Sequence, residues 1–307
     1  MKQLEEWFYN DASVNAVVSI PAKGGAYLFS GPKWLGKEHA AEAVAKRVLQ
    51  VKDLSASPDY IVLAPKDKSV IGIDELAGIM DFAQTIPVNG SVKVAVIDDA
   101  ESMTEAAQNA MLKLLEESTD YMLFLLVAHR KMIPTVESRC MRIEFSPLKK
   151  EDMENILHDE QEKLDPLALQ LARGRKGFYQ FAIDDPKYLS SIRSFLAALE
   201  IKNGEGMFEA FHLMKEKDKE NFFESYSVPQ IMAFVSYLQD VFYKAYLYQS
   251  LSFKEEVTDC DIVKVAEHYS VLYVQALTST LTQAQRSLGT GKFNKNDWFD
   301  LIRFIAE

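Results

Sequence analysis

Gly31-Pro32-Lys33-Trp34-Leu35-Gly36-Lys37-Glu38 follows the apolar run Ala26–Phe29 and carries the glycines and the lysine of a phosphate-binding loop. Such a loop presents backbone N–H groups and a helix N-terminus to phosphate. Its lysine neutralises the β- and γ-phosphates, and a Ser or Thr hydroxyl after the lysine holds Mg²⁺. Position 38 is glutamate instead. A carboxylate in the first helical turn suits the helix dipole and can take the donors that phosphate would use. An internal anion is therefore expected to stand in for the ligand, with Gly31, Gly36, Lys37 and Asp98 left as a degenerate phosphate and magnesium site.

Working outward, compact apolar runs alternate with amphipathic segments up to about Phe145, which is the pattern of a parallel sheet covered by helices. Strands are expected at Ala26–Phe29, Tyr60–Leu63, Val92–Ile97, Leu123–Val127 and Met141–Phe145, where β-branched and aromatic residues suit buried positions. The spacing of Ala107, Ala110, Met111, Leu114 and Leu115 predicts a helix around Glu105 to Glu117, with Ser102 and Glu105 fitting a capping box. Beyond Pro147 the strand signals stop. The rest reads as helices punctuated by Asp165-Pro166, Gly174, Gly177 and Asp185-Pro186, with amphipathic runs near Tyr188–Leu199, Val228–Leu247, Ile262–Leu288 and Asp297–Ala306. The expected fold class is α/β plus all-α. Its expected parts are a P-loop NTPase-like parallel-sheet domain over 1–146, a small helical domain over 147–187 and a helical bundle over 188–307. Phe234, Tyr237, Phe242, Tyr246 and Tyr248 are expected to be bundle core, with packing against sister subunits as the alternative.

The chain has 307 residues, 48% of them hydrophobic, which is enough for more than one buried core. A formal net charge of -11 excludes a protein that coats nucleic acid with its whole surface, so any DNA contact must be local. Cys140 and Cys260 are the only cysteines, which excludes a disulfide framework and a four-thiolate zinc site. Met1-Lys2-Gln3-Leu4-Glu5-Glu6 lacks the features of a signal peptide, and the apolar run around Met122 to Ala128 is too short to span a bilayer. A soluble cytoplasmic protein with no membrane partner is expected.

Two further motifs carry chemistry. Val94-Ala95-Val96-Ile97-Asp98-Asp99-Ala100-Glu101 has the form of a strand ending in magnesium- and water-positioning acids. The second acid is normally Glu, and Asp99 is shorter by one methylene, which withdraws the carboxylate by about 1.5 Å. Displacements of that order can cost about 10²-fold in rate. Ser138-Arg139-Cys140 lies just before the last strand. The loop Gly31–Glu38, the Asp98–Glu101 stretch, the run Gln108-Asn109-Ala110-Met111-Leu112-Lys113-Leu114-Leu115-Glu116-Glu117 and Ser138-Arg139-Cys140 follow in the order and spacing of bacterial clamp-loader AAA+ subunits. Among these the chain most resembles the delta-prime subunits of DNA polymerase III, with motif-level similarity over about Gly31 to Pro147.

The resemblance implies an AAA+ domain, a helical lid and a C-terminal collar. It also implies a five-subunit assembly that uses ATP to place a sliding clamp on primed DNA. The implied partners are gamma/tau-like and delta-like subunits, with clamp and DNA reached through the assembly. In that family the arginine of the Ser-Arg-Cys interface motif enters the neighbouring subunit's ATP site, so Arg139 is the expected finger acting in trans. A guanidinium with fixed charge and forked donors suits a transferring phosphoryl group. Glu38, Asp99 and the Ala128-His129-Arg130 stretch, where relatives often place Thr or Asn, all depart from a competent motor.

No arginine falls clearly at the sensor position of Ala172–Phe178. Arg173, Arg175 and Lys176 read as a solvated helix end, or alternatively as a basic edge. The family's four-cysteine zinc module is not encoded between Leu49 and Tyr60, and neither metal nor cofactor is expected, although weak ATP or ADP binding is not excluded. His39 reads as an early-helix surface residue and Cys140 as a small core residue rather than a nucleophile. The expected role is a non-hydrolysing clamp-loader subunit. The alternatives are a gamma-like ATPase motor, with Glu38 or a water contacting magnesium, and an unrelated P-loop kinase or transferase.

Overall fold

The structure, a computed structural model, describes residues 11–65, 70–117, 120–160, 162, 164–198, 226–250, 265–267 and 269–289. The expectations for residues 1–6, Cys260 and the run Asp297–Ala306 lie outside them. Contacts divide the chain into two compact units. One comprises Met1–Glu162 with Arg173–Gly177, and the other Lys163–Ala172 with Phe178–Glu307. The segment 147–187, expected as a separate small domain, is thus shared between the two units.

The first unit is built on a five-stranded parallel sheet. Its strands are β1 (Gly25–Ser30), β2 (Tyr60–Leu63), β3 (Lys93–Ile97), β4 (Met122–Ala128) and β5 (Met141–Glu144), and their spatial order is β2-β3-β4-β1-β5. Each expected strand is present, to within a residue or so at its ends. Around the sheet lie α1 (Asp11–Val18), α2 (Lys37–Leu49), α3 (Ile73–Ala83), α4 (Glu105–Glu116), the short α5 (Pro134–Glu137) and α6 (Lys150–Asp159). All seven residues of β4 are buried, as a central strand covered on both faces requires. Side chains alternate between two cores. Leu123, Leu125 and Val127 join Ala40, Ala41 and Val44 of α2 on one face. Phe124, Leu126 and Ala128 join Leu76, Ile79, Ala107 and Met111 of α3 and α4 on the other.

The start of α4 differs from expectation. Its N-cap is Thr104, whose side chain accepts the N–H of Ala107, while Ser102 belongs to a preceding 3₁₀ turn, Ala100–Ser102. The chain needs that turn to leave β3 before the helix begins, so the cap falls two residues later than the Ser102–Glu105 pattern suggests.

In the second unit α7 (Pro166–Ala172), most of α8 (Lys176–Asp184), α9 (Pro186–Ala198), α10 (Val228–Ser250) and α11 (Val271–Gly289) are all helical. Rings of Phe178, Phe181, Tyr188 and Tyr226 meet edge to face or tilted, and the Tyr188 hydroxyl donates to the carbonyl of Gln230 at 2.8 Å. Along α10, Phe234, Tyr237 and Phe242 are buried, whereas Tyr246 and Tyr248 are half-buried. Gln239 Nε2 donates to Thr282 Oγ1 of α11 at 2.8 Å. Among the described residues no helix is long and apolar enough to cross a membrane.

Candidate functional site

The loop 31–38 leaves β1 and enters α2, the sheet's ready-made anion site. Gly31 has φ of 143°, and a Cβ there would sit 2.2 Å from the carbonyl oxygen of Phe145, so only glycine fits. Gly36 caps α2 in the left-handed region at φ of 72°. Lys37 is fully buried and donates from Nζ to the carbonyl of Pro32 at 2.6 Å. Burial lowers its pKa to about 8, against the opposing pull of Glu38, Glu101 and Asp98.

Three strand or helix ends converge beside it: Glu38 from α2, Asp98 and Asp99 from β3, and His129 from β4. His129 Nε2 lies 3.2 Å from Glu38 Oε1 and 3.1 Å from Asp99 Oδ1, with its side chain only 5% exposed. Lys33 Nζ reaches the same Asp99 oxygen at 3.2 Å. Burial would raise the Glu38 carboxyl. The hydrogen bond from His129, and another from Glu38's own backbone N–H, hold it down at about 2 instead. Asp99 is likewise held at about 2, first by His129 and, against burial, by Lys33. Burial would lower His129, but its bonds to Asp99 and Glu38 carry it above its ordinary value. Asp98 moves up, because it is buried and faces the charge of Glu38, although its Oδ1 accepts the N–H of Asp99 at 2.8 Å. Asp99 adopts a left-handed backbone at φ of 45°, a strained state for a non-glycine residue.

These side chains form one wall of a cavity of about 370 Å³, whose other lining includes Trp34, Leu35, Phe145, Leu148 and Gly177. A triphosphate entering along α2 would meet the Glu38 carboxylate, which already takes one helix-terminal N–H, and the Asp99 carboxylate behind it. Two carboxylates, Glu38 and Asp99, thus stand beside the start of α2. Glu38, Asp98 and His129 each offer one ligand atom, all within 4.8 Å of one another, which is close enough to hold a divalent ion.

Of the expected site residues, Gly36, Glu38, Asp98 and Asp99 line this cavity, Lys37 is buried beside Glu38 and Asp98, and Gly31 packs against Phe145. Sequence reasoning did not include His129 or Lys33 among the site residues. The signal for His129 was the basic residue directly after β4, noted only as a missing Thr or Asn. Ser138, Arg139 and Cys140 lie apart from the cavity, after α5. Ser138 Oγ donates to Thr135 O at 3.0 Å. Burial, then Glu137, pushes the Cys140 thiol up to about 12, so it is not an activated thiolate. His39 is exposed, and Lys176 pairs with Glu160.

A protein-family profile described as "DNA polymerase III, delta subunit" matches residues 22–149. Over these residues the chain is similar to that family. Among curated relatives, the chain is 36% identical over 140 residues to a replication factor C small subunit of Methanococcus maripaludis, covering 44% of this chain and 43% of that protein. It is 32% identical over 136 residues to DNA polymerase III subunit delta' of Pseudomonas aeruginosa, covering 38% and 42%. The match to subunit gamma/tau of Mycobacterium bovis is 29% over 166 residues, covering 47% and 29%. The chain therefore spans less than half the length of these relatives. A crystal structure of a DNA polymerase III gamma subunit-related protein from Thermotoga maritima superposes with a TM-score of 0.56 at 19% identity, covering 96% of this chain and 99% of that one, which shows the shared fold.

Proposed function

We propose that this chain is a non-hydrolysing, delta-prime-like subunit of a bacterial clamp loader. In this reading it works in the cytoplasm with gamma/tau-like and delta-like subunits and reaches the sliding clamp and primed DNA through the assembly. The observation that carries the reading is the Glu38–His129–Asp99 bridge, in which an internal base holds two carboxylates at the phosphate end of the cavity. Arg139, outside that cavity, is then the chain's chemical contribution, entering a neighbour's ATP site as a finger. Fingers of this kind are worth roughly 10³–10⁵ in rate. The likeness to both delta' and gamma/tau proteins supports the clamp-loader setting.

Calorimetric titration of the isolated chain with ATP and a slowly hydrolysed analogue, with and without Mg²⁺, tests the closed site. No heat up to millimolar nucleotide is expected. Micromolar binding strengthened by Mg²⁺ would favour the second reading, a gamma-like motor, for which the ion-binding geometry of Glu38, Asp98 and His129 is the supporting observation.

A further inference from the structure

We infer that Glu116 is a positioning residue for Arg139, holding the guanidinium by its side so that donors on both terminal nitrogens stay available to a phosphate. The inference rests on the reading of Arg139 as a finger. Arg139 Nε donates to Glu116 Oε1 at 2.9 Å, Nη2 donates to the same oxygen, and Nη1 donates to the carbonyl of Thr135 at 3.0 Å. A guanidinium has five N–H donors. Three are engaged here, and among the described residues one on each Nη has no partner. The side chains are 38% and 53% exposed, so the pair adds little to folding stability.

What the contacts do is restrict a long side chain. Glu116 sits in the last turn of α4 and Thr135 in α5, so two separate elements grip the fork. Helix α4 is itself seated by the Thr104 cap and by Gln108, whose Nε2 donates to Met103 O at 2.9 Å. An arginine held in this way loses less freedom on engaging a phosphoryl group than one free in solvent. Glu116 belongs to the run Gln108–Glu117 that carries the resemblance, yet it does not line the cavity beside α2.

The test is ATP turnover by a clamp loader reconstituted from this chain and the ATPase and delta-type subunits of the same organism. Arg139→Ala is expected to slow it by about 10³-fold or more. Glu116→Ala is expected to lower kcat by about tenfold, with KM for ATP and the chain's Tm essentially unchanged. Glu116→Gln keeps an accepting Oε1 and is expected to recover most of the rate. Glu116→Asp withdraws the oxygen by about 1.5 Å and is expected to be slowed like the alanine variant, which serves if alanine does not fold. Wild-type or faster kcat in Glu116→Ala and Glu116→Asp, with Arg139→Ala impaired, overturns the positioning role and leaves the finger standing. Wild-type kcat in Arg139→Ala overturns the finger and this inference with it.

Discussion

At the residue scale the site is governed by one imidazole between two acids. Glu38 and Asp99 have native pKa values near 2, below their ordinary 4.5 and 3.8, so their contribution to stability is full above about pH 4.5 and is lost as pH falls toward 2. His129 is raised above its ordinary 6.5, so its contribution is full below that value and is lost as pH rises through the higher native one. The bridge therefore stabilises most between about pH 4.5 and pH 6.5. His129→Ala is expected to cost roughly 1–2 kcal/mol in that window and less on either side. Urea unfolding of both proteins across pH checks this, and a difference independent of pH would refute the bridge. Gly31→Ala sets a Cβ against the Phe145 carbonyl at a φ that side chains avoid, and about 2 kcal/mol or more of stability should be lost. A lowered urea midpoint with unchanged slope is the expected record. Lys37, Glu38, Asp98 and Asp99 were legible as site residues because loop and strand ends have sequence signatures. His129 was not, since nothing local says that a residue after β4 will face a carboxylate on α2.

At the scale of elements, the strands were the most legible part. β-branched and aromatic runs of four to seven residues between turn signals have few alternative readings, for the fully buried β3 and β4 and also for the edge strand β2, where Val62 is exposed. Helix ends were less so, and α4 shows why: Ser102 and Thr104 both offer a capping hydroxyl, and only the path of the chain out of β3 selects Thr104. Thr104→Ala should therefore destabilise by about 1 kcal/mol while Ser102→Ala leaves α4 untouched at its cap, as thermal unfolding of the two variants would reveal. Equal losses would argue for the earlier start.

At the scale of the whole molecule, the prediction is functional: the isolated chain turns over no ATP, and in the reconstituted loader the rate depends on Arg139. Steady-state phosphate release decides it, since Mg²⁺-dependent turnover by the isolated chain would make it a motor. The sequence by itself determined the α/β-then-helical order, the five strands, the altered loop at Glu38 and the place of Ser138-Arg139-Cys140 just before the last strand, because each is written in local pattern and spacing. Only the tertiary structure decided the partners. Parallel pairing in the order β2-β3-β4-β1-β5 brings the ends of β3 and β4 beside the start of α2, and this closes His129 onto Glu38 and Asp99. The packing of α4 near α5 likewise sets Glu116 against Arg139, 23 residues away in sequence. Contacts between residues so far apart along the chain depend on register and packing, which no local window contains.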